Sequence, residues 1–132
     1  MNHMDLLTGW VDISRHNGVT SPDYRVFEMK NKEMIPEYFL YVFQSYYNFK
    51  VFYGFGQGVS NLGRWRLPAH NFNKIIIPIP SIAEQKNIVD YLKIQRDKID
   101  EVISLKKEKI NKIICYRNSL VYEYVTGKKE VE

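Results

Sequence analysis

The sequence predicts an α+β chain: a small mixed globular domain over residues 1–80, a long helix over 81–127 that pairs as a coiled coil, and a short tail, 128–132. Three observations carry this. Short alternating apolar segments, punctuated by Gly, Pro and Asn, fill the first thirty residues. Aromatic residues recur at helical spacing after Pro36. From Ser81 to Val125 an apolar stripe runs without a Pro or a Gly.

In chain order, Leu6-Leu7, Trp10 to Ser14 and Tyr24 to Phe27 read as short strands. Asn17-Gly18 and Ser21-Pro22-Asp23 supply the turns, through residues suited to positive φ and to fixed φ respectively. A strand pattern so close to Met1 is that of a sheet entered partway. Pro36-Glu37 makes a good first turn, and Phe39, Val42, Phe43, Tyr46 and Phe49 follow at helical spacing, predicting a helix over residues 36–50. Aromatics so spaced on one face belong to a core; a base-stacking platform is the other reading.

Residues 51–68 hold Gly54, Gly56, Gly58 and Gly63, too many for regular helix, and read as a mobile loop offering backbone amides. Gln57, Asn61, Arg64 and Arg66 accompany them. Arginine suits guanine acceptors or phosphate, and the carboxamides suit adenine. No Gly-Lys-Ser/Thr follows, so this is not a nucleotide-binding P-loop. A glycine-rich hairpin with solvated arginines is the alternative. Asn73 to Pro80 reads as a last strand, closed by Pro78 and Pro80 into a stiff joint.

The helix that follows has defined ends. Ser81-Ile82-Ala83-Glu84 is a capping box, and Gly127 followed by Lys128-Lys129 is a left-handed stop with cations at the negative helix end. Its stripe predicts a pairing interface of Ile88, Leu92, Ile99, Val102, Ile103, Ile110, Ile113, Leu120 and Tyr124, interrupted near Gln95, Lys106 and Arg117. The seam is therefore a mixed packing surface rather than a strict zipper. At ~1.5 Å per residue the helix is about 65 Å long, more than the remaining residues can cover, so it requires a partner.

Composition excludes several classes of function. No apolar run spans a bilayer and the N-terminus lacks a cleavable signal, so a cytoplasmic location is expected, with no membrane partner. The single cysteine, Cys115, excludes an internal disulfide and is expected to pack beside the stripe. His3, His16 and His70 lack partners at metal-ligand spacing, and no acidic pair or nucleophile elbow stands out, so neither an enzyme nor a cofactor is expected. The net charge is +4, but its distribution is uneven. No acidic residue lies between Glu37 and Glu84, an interval that contains Lys50, Arg64, Arg66 and Lys74 together with His70. Such a local basic field suits a polyanion; solvated cations on a neutral segment are the alternative. The candidate nucleic-acid contacts are Lys50, Gln57, Asn61, Arg64, Arg66, His70 and Lys74.

Several segments together resemble a known family. They are Asn2 to Leu7, Gly18 to Phe27, Gly56-Gln57-Gly58 with Arg64 to Leu67, and Ile77-Pro78-Ile79-Pro80-Ser81-Ile82-Ala83-Glu84-Gln85. With Tyr116 to Leu120 and Val125 to Lys128 they look like the DNA specificity subunit of type I restriction-modification enzymes. The most specific piece is the Pro-x-Pro-x-x-x-Glu-Gln junction. The resemblance covers the C-terminal part of a target recognition domain (residues 1–80) and one conserved helical region. It implies a domain that reads half of a split double-stranded DNA site, and a helix that pairs with another such helix, in a homodimer or with a second specificity subunit. Methylation subunits dock on this scaffold and restriction subunits join them. The specificity subunit itself catalyses nothing, and S-adenosylmethionine and ATP belong to its partners. Two readings follow: a half-sized subunit that binds DNA as a dimer, or an assembly module that acts through its helix without reading DNA.

Overall fold

The computed structural model describes residues 1–58 and 65–131. Four helices are present among them: α1 (Pro36–Asn48), α2 (Val51–Gly54), α3 (Ala69–Phe72) and α4 (Ile82–Val125). The chain divides into two compact units, Met1–Val89 and Asp90–Glu132.

The mixed α+β expectation is corrected to a mostly helical chain. Strand pairing among the described residues is confined to two isolated antiparallel bridges, Asn2 with Tyr24 and Gln57 with Arg66. The reason is local competition for backbone groups. The Asn2 side chain accepts the amides of Met4 and Asp5, and the Asp5 carboxylate accepts those of Leu7 and Thr8. Residues 4–8 therefore turn where a ladder would have to continue. Hydrogen bonds from Thr8 and Leu7 also hold the Asp5 carboxyl below the usual range. Gly9 closes this turn at the distance of closest approach: a Cβ there would lie 1.9 Å from the Asp5 carbonyl oxygen.

The expected strand at Asn73–Pro80 keeps its alternation, with Ile75 and Ile77 half-buried and Ile76 exposed, but it has no strand partner among the described residues. Hydroxyls on α1 take its carbonyls instead: Tyr46 donates to Ile76 at 2.9 Å and Tyr38 to Pro78 at 3.3 Å. Pro78 and Pro80 have no N–H to offer a ladder.

Helix α1 begins at Pro36, as the sequence indicates, and buries Tyr38, Phe39, Phe43 and Tyr47. It ends two residues before the expected limit, because Lys50 adopts a left-handed conformation with φ +59°. Phe49, expected on the buried face, caps the helix instead and is 81% exposed. The single turn α2, inside what read as loop, then places Phe52 at the centre of the core with Met1, Leu6, Val11, Phe43, Tyr47 and Leu67. The Tyr47 hydroxyl donates to the Asn2 carbonyl, and burial pushes its pKa upward.

The start of α4 is fixed twice. The capping box forms in both directions: the Ser81 amide donates to the Glu84 carboxylate at 3.0 Å, and the Glu84 amide donates to the Ser81 hydroxyl at 3.3 Å. The Ser81 hydroxyl also donates to Glu84, and these bonds hold its carboxyl below the usual range. Next to it, Gln85 is buried. Its Oε1 accepts the amide of Ile35 at 3.1 Å and its Nε2 donates to the Pro80 carbonyl at 2.9 Å.

In the second unit, α4 ends in a Schellman arrangement: the Lys128 amide donates to Glu123 at 2.9 Å and the Gly127 amide to Tyr124 at 3.3 Å. Gly127 has φ +72°, where a Cβ is strained. Replacing Gly127 by alanine is expected to cost about 1 kcal/mol, read as fraying of the last turn by amide exchange, with the rest of α4 unchanged. Cys115, expected to pack, is exposed. No helix among the described residues is long and apolar enough to cross a membrane.

Candidate functional site

The glycine-rich segment is closed at its base by backbone pairing. The Gln57 amide donates to Arg66 at 2.7 Å and the Arg66 amide donates to Gln57 at 2.9 Å. Residues that exchange both bonds in an antiparallel pair stand directly opposite, with side chains on one face. Both are exposed. Two of the sequence-derived candidates, one carrying a carboxamide and one a guanidinium, are thus brought to opposed backbone positions.

Aromatic packing braces this base. Trp65 stacks on Tyr53 with ring centroids 5.3 Å apart, and its indole N–H donates to the Tyr53 carbonyl at 2.6 Å. Its ring lies so close to Gly56 that a Cβ there would approach Cδ1 to 2.1 Å. Glycine at this position is a condition of the tryptophan's seat. Tyr53 did not stand out in the sequence and Trp65 entered only within the Arg64 to Leu67 segment, because their partnership depends on a turn, α2, that was not foreseen.

The other candidates are more dispersed. Lys50 is exposed, but its ammonium donates to the Leu7 carbonyl at 2.8 Å and so ties α1 to the N-terminal turn. His70 on α3 and Lys74 just after it are exposed, and no hydrogen bond or ion pair among the described residues links them to Gln57 or Arg66. Asn61 and Arg64 lie outside the described residues.

The structure adds two basic residues that the sequence did not single out. Backbone bonds stitch three extended pieces together: Leu67 donates to His3 at 2.9 Å, His3 to Asp23 at 3.1 Å, and Arg25 to Met1 at 2.8 Å. Arg25 also donates from Nη2 to the Leu67 carbonyl at 3.3 Å, and its guanidinium lies over the Phe72 ring at 5.3 Å. His3 has its pKa lowered by burial and by the positive fields of Arg25 and Arg66, against the opposing influence of Asp23. No local pattern could have joined residues 3, 25 and 66, which lie far apart in sequence.

Along α4 the expected pairing residues remain uncovered. Ile88, Ile99, Val102, Ile103, Ile110, Ile113 and Tyr124 are exposed, while Leu92 and Leu120 are half-buried. Ile99, Val102 and Ile103 form a shallow apolar patch bordered by Gln95, Lys98 and Lys106. Among the described residues, no group of His, Cys, Asp and Glu could hold a metal ion.

No curated protein and no solved structure matches this chain. A family model does, from residue 5 to residue 126, and it covers the N-terminal turns, the glycine segment, the Pro-x-Pro junction and α4. The chain belongs to the family of type I restriction-modification DNA specificity domains, which are non-catalytic components of DNA recognition.

Proposed function

We propose that this chain is a half-sized specificity subunit that reads part of a split DNA site through the glycine segment, and that pairs through α4. The observation that carries the DNA reading is the Gln57–Arg66 pair. It sets a base-reading carboxamide and a guanidinium side by side, inside an interval free of acidic side chains. The family membership supports the same role. Lys50, Asn61, Arg64, His70 and Lys74 are further candidate DNA contacts, chosen from residue type and local charge.

Pairing follows from the exposed stripe of α4. Burying each large aliphatic side chain contributes about 1.5–3 kcal/mol, so the seam from Ile88 to Tyr124 suffices to hold two chains. Two copies related by a two-fold axis present the same reader twice, and the target is then a split palindrome. Methylation and restriction subunits dock on the paired helices, and the whole acts in the cytoplasm.

Fluorescence anisotropy with random duplex at about 50 and 200 mM salt, with light scattering alongside, tests both halves. With three or four phosphate contacts, affinity falls roughly 40- to 150-fold between the two salt concentrations. The expected mass is that of two chains. A dimer that ignores DNA would favour the second reading, an assembly module, for which the uncovered stripe is the specific support. Incorporation into a complete methyltransferase complex would then be its decisive measurement. A monomer without DNA affinity would overturn both.

A further inference from the structure

Arg25 and His3 have unspent hydrogen-bonding capacity. Arg25 uses Nη2 on the Leu67 carbonyl and one face on Phe72, but its buried Nη1 has no partner among the described residues. His3 Nδ1 is likewise buried and unpartnered among them. Orphaned buried nitrogens are costly, and two in one cluster suggest groups awaiting an acceptor. Arg66 is exposed, and the bond from the Leu67 amide to the His3 carbonyl at 2.9 Å holds its backbone beside His3, so an incoming anion meets Arg66 first.

Resting on the DNA reading above, we propose that His3, Arg25 and Arg66 clamp one phosphodiester group of the DNA backbone. Arg66 then has two duties: its backbone closes the loop against Gln57, and its side chain joins the cluster. The clamp fixes register rather than sequence, since a phosphate contact carries no base information. It anchors the duplex beside Gln57, whose carboxamide is the base-reading member of the pair. Asp23 is the acidic group whose field opposes it at His3, and the N-terminal amine of Met1 donates to the Arg25 carbonyl at 2.9 Å, its charged form disfavoured by burial and by Arg25.

The test uses the intact chain, a random duplex and a salt series. Arg66→Gln and His3→Gln are compared with Arg25→Lys, which keeps the charge but lacks the guanidinium fork, and with Lys128→Gln in the tail as a control. Thermal melts accompany each. Arg66→Gln is expected to reduce the slope of log affinity against log salt by about 1 and to weaken binding roughly tenfold at low salt, on any sequence. The His3 imidazole, followed by NMR, is expected to titrate at higher pH in the complex than in the free chain, because an anion beside it favours the charged form. Should Arg25→Lys fail to fold, Arg66→Gln and the His3 titration decide alone. Wild-type binding with an unchanged slope in Arg66→Gln and an unmoved His3 would overturn the clamp, and the DNA reading would then rest on Gln57 and the wild-type binding itself. Absence of wild-type binding at either salt would overturn both.

Discussion

Replacing Phe52 by alanine is expected to lower the stability of the first unit by about 3–5 kcal/mol. Phe52 is 0% exposed, and its ring meets Tyr47, Tyr46 and Phe43 with centroids 5.0, 5.6 and 6.0 Å away. Removing the ring forfeits its transfer from water and leaves a cavity lined by three aromatics that cannot collapse without tilting α1. Domains of this size hold only about 5–15 kcal/mol in total, so a large part of the margin is lost. The midpoint of urea unfolding, followed by near-UV circular dichroism, reads the effect. Phe52→Leu, which refills most of the volume, should recover most of the loss. An alanine variant within 1 kcal/mol or so of the wild type would mean that the core is not centred on this residue.

Gln85→Leu carries the second large effect. The side chains are of similar volume, so packing is nearly kept, but both hydrogen bonds vanish. The Ile35 amide and the Pro80 carbonyl each lose their partner, at about 1–3 kcal/mol for a buried polar group, or about 2–6 kcal/mol together. Gln85→Glu is also expected to fail: it keeps an acceptor for Ile35, loses the donor to Pro80, and places a carboxylate where the side chain is 1% exposed. The measurement is amide exchange at Ile35 with a thermal melt of the same sample. Fast exchange and a fall in melting temperature on the order of 10 °C are expected. Protection of Ile35 at wild-type level in Gln85→Leu would contradict this account.

What the sequence disclosed was whatever depended on neighbours in sequence. Ser81, Glu84 and Gly127 mark the ends of α4 because caps are satisfied within a few residues, and both ends stand where the residues place them. Pro36 marks the start of α1 for the same reason. The strands were misread because alternation reports only which side chains face inward. Val11, Ile75 and Ile77 do turn inward, yet among the described residues no neighbouring strand supplies a ladder, and tyrosine hydroxyls or Asx turns take the backbone instead. Phe49 was assigned to the buried face because nothing in its neighbourhood announces that a lysine will take positive φ one residue later.

The site divides the same way. Gln57 and Arg66 could be chosen from chemistry and local charge, and the fold sets them opposite each other. Arg25 lay in a segment read as an ordinary strand, His3 was weighed as a metal ligand, and both entered the resemblance only within longer segments. Their relation to Arg66 comes from three backbone bonds between distant pieces of chain, which no periodicity encodes. Gln85 was visible as part of the Pro-x-Pro junction, but its partner at residue 35 was not.

The closure of the loop at Gln57 and Arg66 bears on how such a protein could change its target. The two bonds run between main-chain groups, which every residue except proline carries in full. With Gly56 and Trp65 retained to keep the brace, the side chains at positions 57 and 66 can be rewritten while the clasp stays shut. On the proposed DNA reading, new recognition could then arise by drift at these two positions, without renegotiating the core that supports them.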